Sequence, residues 1–107
     1  MTEPAFDMSE IIALYKEDAR RAIAEMQASI NNWTEIVNAG QARQNLRKLS
    51  HQLRGSGRTY GFHAVSRISK AMENIMMKLE KNTLPAGERV RGSIQKKIDR
   101  LAQAFKD

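Results

Sequence analysis

From Ile12 to Phe105 the apolar residues of this chain recur at intervals of three and four, and no other feature restricts its fold as much. A helix turns about 100° per residue, so this spacing lines one helical face and does not fit the alternation of a half-buried strand. The pattern falls into four stretches. Asp7-Met8-Ser9-Glu10 has the form of a capping box, with Asp7 as N-cap and Glu10 reaching back. Ile12, Tyr15, Ala19, Ala22, Ile23, Met26, Ile30, Trp33 and Val37 then mark a long first helix, which Gly40 is expected to close in a left-handed conformation. A second helix is expected from about Ala42 to Tyr60, ended by Gly61. A third starts near His63 and carries Val65, Ile68, Met72, Ile75, Met76 and Leu79, a methionine-rich stripe of the kind that fills cores. Asn82-Thr83-Leu84-Pro85 is the next break, and Val90, Ile94, Ile98, Leu101 and Phe105 mark the fourth helix. The expected fold is all-α: an antiparallel up-down four-helix bundle, one domain over residues 1–107.

Several function classes fall away on composition. The chain has no cysteine, which removes disulfides, thiolate metal sites and cysteine nucleophiles. No apolar run approaches the roughly 20 residues that cross a bilayer. Met1-Thr2-Glu3-Pro4 carries acid where a signal peptide has basic and apolar regions. A cytoplasmic monomer without membrane contact is the expectation. The net charge of +6 fits either solvated helix faces or an acidic partner, and the basic residues form no dense block that would favour nucleic acid.

The chemistry concentrates in His51-Gln52-Leu53-Arg54-Gly55-Ser56-Gly57. On a helical wheel Leu46, Leu49, Ser50 and Leu53 share one stripe, and His51 falls on the opposite side, facing water. Gly55 falls on the same side as His51. A glycine inside a helix costs up to about 1 kcal/mol relative to alanine, so its presence there suggests that open space is needed. Gly57 projects onto the core side, where close approach of another helix explains it. Metal binding is not supported: His51 and His63 are separated by the helix end at Gly61, and no HExxH pattern accompanies them. Nor is autonomous hydrolysis, because neither Ser50 nor Ser56 points along the direction of His51. Phosphoryl carriage fits better. A neutral imidazole is a competent nucleophile near pH 7, and phosphoryl transfer asks mainly for alignment and nearby cations. Arg47, Arg54 and Arg58 stand at offsets of minus four, plus three and plus seven from His51, which turns all three toward its side. His63 is read as structural or merely exposed.

His51 through Gly57, followed by Thr59-Tyr60-Gly61-Phe62, resembles the histidine-containing phosphotransfer (HPt) domains of two-component phosphorelays, whose pattern is His, two residues, Lys or Arg, then Gly. The chain is also similar to the phosphotransfer domain of chemotaxis histidine kinases, through Met72-Glu73-Asn74. The resemblance covers the second and third helices; the first and fourth match only as amphipathic helices. It implies that His51 is the phosphoacceptor, that Arg54 stabilises the phosphoryl group, and that Gly55 leaves room for the partner. It further implies that Glu73 hydrogen-bonds the other ring nitrogen of His51, the alternative being an ordinary solvated carboxylate. Lys70 stands where the chemotaxis kinases carry a second histidine, a departure from their pattern.

The resulting expectation is a phosphoryl carrier without kinase or hydrolase activity, exchanging phosphate between receiver aspartates of response regulators or with a hybrid histidine kinase. Arg47 and Arg58 would lend charge support. The chain would need no cofactor of its own, magnesium belonging to the receiver. Two rivals stay open: a chemotaxis-type kinase domain, and a basic helical adaptor or nucleic-acid-binding bundle with His51 incidental.

Overall fold

A computed structural model describes residues 7–34, 39–81 and 87–106. Four α-helices follow one another: α1 (Met8–Asn31), α2 (Ala39–Thr59), α3 (His63–Glu80) and α4 (Glu88–Ala104), with a short 3-10 turn at Asn32–Thr34 after α1. Each helix packs against two others, α1 on α2 and α4, α3 on α2 and α4. Cross-helix pairs set the directions. Arg47 meets Glu80 and His51 meets Glu73, so α2 and α3 run antiparallel. Tyr15 packs on Tyr60 near the far end of α2, and Arg20 bonds Phe105 while Gln27 bonds Gln95, so α2 and α4 both run against α1. The result is the up-down bundle that the periodicity demands.

The stripes read from the sequence meet at its centre. Met26, Ile30, Leu46, Val65, Met72, Met76, Ile94, Ile98 and Leu101 are almost wholly buried. Ile12, Ala22, Ile68, Ile75 and Val90 flank them at intermediate depth. Val37 and the break at Asn82-Thr83-Leu84-Pro85 lie outside the described residues, as does Met1-Thr2-Glu3-Pro4. At one end Tyr15, Tyr60, Phe62 and Phe105 form a ring cluster with centroids 4.6–5.7 Å apart. There Arg20 donates from Nε and Nη2 to the Phe105 carbonyl at 3.1 and 2.7 Å, satisfying an acceptor that the end of α4 leaves without an intrahelical partner.

Helix α1 begins as expected at Asp7, whose carboxylate accepts a hydrogen bond of 3.0 Å from the Ser9 amide. The Ser9 hydroxyl, and after it the Ser9 amide, hold the Asp7 carboxyl below the usual range. The expected closure of α1 by Gly40 is not what forms. The helix stops at Asn31, with Asn32 as its C-cap in right-handed geometry, and Gly40 instead lies in the first turn of α2. A helix's first turn tolerates glycine, and among the described residues Gly61, with φ of 84°, is the glycine in left-handed conformation.

Gly61 and Gly57 together set the α2–α3 corner. Gly61 reverses the chain, and the Phe62 amide donates to the Gly57 carbonyl at 2.7 Å. A Cβ on Gly57 would stand 3.1 Å from the Phe62 oxygen, 3.1 Å from the Ser66 nitrogen and 3.2 Å from Val65 Cγ1. Close helix approach, the reason inferred for this glycine, is therefore real. It lets Ser66 Oγ donate to the Arg54 carbonyl at 2.9 Å, which locks the axial register of the two helices.

Candidate functional site

The register fixed at that corner places one flank of α2 against one flank of α3. On α2, Arg47, His51 and Arg54 succeed one another at helical spacing. On α3 the same rule aligns Ser66, Glu73, Met77 and Glu80. Between the two flanks lies an open hollow bordered by Gln44, Arg47, Lys48, His51, Gln52, Arg54, Glu73, Met77 and Glu80.

His51 stands at its edge with 67% of its side chain exposed. Its Nδ1 lies 2.5 Å from Oε2 of Glu73. The other carboxylate oxygen of Glu73, Oε1, accepts from Nη1 of Arg54, also at 2.5 Å. Glu73 itself is only 8% exposed at the side chain. A carboxylate is costly to bury unless it is paired and hydrogen-bonded, and here each oxygen has a charged or polar donor. An ionised carboxylate can only accept, so in the neutral ring the Nδ1 carries the hydrogen and Nε2 keeps its lone pair. No group among the described residues bonds Nε2. In the neutral tautomer this arrangement leaves Nε2 with a free lone pair on an exposed ring, with the buried Glu73 carboxylate behind Nδ1.

The neighbouring side chains divide sharply. Gly55 is exposed, and a Cβ placed on it would meet nothing within 4 Å. Arg47 pairs with Glu80, which pushes its guanidinium further up. Arg58 is exposed but does not border the hollow. The three guanidinium groups that helical offsets turn toward His51 are thus not a free ring of charge: Arg47 ends on Glu80, Arg54 ends on Glu73, and Arg58 stays two turns away. Ser50 is buried, its Oγ donating to the Leu46 carbonyl at 2.6 Å, and Ser56 borders a different groove. His63 and Lys70 are exposed along α3. Among the described residues no group of three or more His, Asp or Glu is placed to hold a metal ion. No helix there is long and apolar enough to cross a membrane.

Two features escaped the sequence. Lys48 borders the hollow, and the offset rule that singled out Arg47 and Arg54 could have found it at minus three from His51. The second is an adjoining groove between α1 and α2, bordered by Ile11, Leu14, Tyr15, Ala19, Ala22, Gln52, Leu53 and Tyr60 among others. Gln52 borders both depressions, and Leu14 leaves 63% of its surface exposed. No local sequence signal marks that surface, because it joins faces of two helices.

A family model described as Hpt domain fits residues 10–104. No curated protein matches the chain. No solved structure does either.

Proposed function

The chain belongs to the Hpt domain family, whose members carry phosphoryl groups on a histidine in two-component signalling, and from that premise we propose that this protein relays phosphate on His51 between receiver-domain aspartates. The observation that carries this reading is the pair His51–Glu73: an exposed imidazole whose inner nitrogen is hydrogen-bonded to a buried carboxylate.

The chemistry follows from that pair. The Nε2 lone pair attacks the phosphorus of an aspartyl phosphate, a P–N bond forms, and the P–O bond breaks with its electrons leaving on the aspartate. The ring gains positive charge as it does so, and Glu73 at 2.5 Å from Nδ1 stabilises that charge. Arg54 spends one N–H group on Glu73 and has further donors for the phosphoryl oxygens. Open space over Gly55 lets the donor's active site approach. The magnesium that assists the reaction belongs to the receiver.

The α1–α2 groove supplies the docking surface. It is apolar along Ile11, Leu14 and Ala22, and it shares Gln52 with the hollow that holds His51. A receiver seated on it brings its aspartate to the imidazole, while α2, which carries no acidic residue, complements the acidic receiver pocket. The His51–Glu73 contact also suits the second reading, a phosphotransfer domain served by a chemotaxis-type kinase core.

The test is incubation with a radiolabelled phosphorylated receiver and, separately, with a kinase core and labelled ATP. Wild type should take up acid-labile label from the receiver, and His51→Gln should fold normally and take up none. Label that persists in His51→Gln ends the proposal, and label from the kinase core alone selects the second reading.

A further inference from the structure

We infer that Lys48 supplies the net positive charge that meets the phosphoryl group on His51; the inference rests on the phosphoryl-carrier reading above. Three cations border the hollow, Arg47, Lys48 and Arg54. Arg47 is neutralised by Glu80 and Arg54 by Glu73. Lys48 is exposed and has no carboxylate partner among the described residues. With the imidazole neutral, the hollow presents one uncompensated charge, and Lys48 bears it.

Its position suits the task. Residues three apart on a helix are neighbours, with Cβ atoms about 5–6 Å from each other. The lysine stem is flexible and its ammonium has three donors. A phosphoryl group brings close to two negative charges into a place where Glu73 already stands 2.5 Å from the ring. Pulling Arg47 or Arg54 wholly onto the phosphate would uncover a carboxylate beside it. Lys48 moves without uncovering anything. In the step itself Nε2 bonds to phosphorus, the donor's P–O bond breaks with its electrons leaving on the donor oxygen, and Nδ1 keeps its proton, which it donates in the hydrogen bond to Glu73. Lys48 donates hydrogen bonds to the phosphoryl oxygens and transfers no proton.

The experiment uses the full chain and phosphoramidate, a small donor that needs no protein docking; its P–N bond breaks and ammonia leaves with a proton from water. Lys48→Ala should be phosphorylated about fivefold more slowly than wild type, the scale of one exposed charge pair. Lys48→Arg should stay near wild type, and helicity should not change in either. Adding Glu80→Gln to Lys48→Ala should recover part of the rate, because it releases Arg47 into the hollow. Wild-type rates for Lys48→Ala with phosphoramidate overturn the inference. So does a deficit seen only with a phosphorylated receiver, which would make Lys48 a docking residue. His51→Gln runs in parallel: label there equal to wild type overturns the carrier reading itself, whatever Lys48 does.

Discussion

The Oε2 atom of Glu73 lies 2.5 Å from Nδ1 of His51, across the α2–α3 interface and 22 residues away in sequence. In the neutral ring this contact places the hydrogen on Nδ1 and leaves the lone pair of Nε2 open. It also explains why a carboxylate tolerates near-complete burial on a helix whose other inward residues are Val65, Ser69, Met72, Met76 and Leu79.

Replacing Glu73 by glutamine keeps the shape of the side chain and removes its charge. The amide no longer compels a hydrogen on Nδ1 and no longer stabilises a positive ring. Glu73→Gln is therefore expected to mix the two ring tautomers and to slow phosphorylation of His51 by roughly tenfold, with the helical content kept. Nitrogen chemical shifts of the His51 ring at neutral pH, together with the transfer rate, check both parts. A ring that stays in one tautomer in the variant would show that Glu73 does not set it.

The two motif glycines should respond to alanine in opposite directions. At Gly55 the added Cβ meets nothing within 4 Å and the helix gains about 0.5–1 kcal/mol. At Gly57 the same atom lands 3.1 Å from two backbone atoms at the start of α3, so the corner must open at a cost of about 1–3 kcal/mol before the helical gain is counted. Urea unfolding should rank Gly55→Ala above wild type and Gly57→Ala below it. Equal midpoints for the two variants would contradict this account of the corner.

Alkaline stability should depend on Tyr15. Burial among Tyr60, Phe62 and Phe105 pushes its phenol above the ordinary value of 10.0. A group whose pKa is raised by folding contributes stability in full below its unfolded pKa, and that contribution is lost as pH rises through the folded value. Wild type should therefore weaken above about pH 10, and Tyr15→Phe, which cannot ionise, should weaken less over the same range. Urea midpoints measured from about pH 8 to about pH 11 make the comparison.

Much of this was legible in residue order, and the reasons are local. Helical period follows from backbone geometry, so Met26, Ile30, Met72, Ile94 and Leu101 could be assigned to the core, and His51 with Gly55 to the water side, from spacing alone. Gly61 could be placed at a chain reversal for the same reason. Gly40 is assigned to the wrong helix by spacing, because a glycine between two apolar stretches suits the first turn of a following helix as well as the end of the preceding one; α1 stops at Asn31 and Gly40 lies in the first turn of α2.

Charge partnerships lay beyond the sequence. Spacing brings Arg47 and Arg54 near His51 on one helix, and the same rule extends to Lys48, but their pairing depends on which residues of α3 stand opposite. That register is set by the contact of Gly57 with Phe62 and Ser66 at the corner. The residue order of this protein determined its four amphipathic helices and the outward aim of His51, since each follows from geometry within a single helix. Only the tertiary structure gave Glu80 to Arg47, gave Glu73 to both Arg54 and His51, and left Lys48 without a carboxylate among the described residues, since those outcomes require two helices to meet at one fixed axial offset.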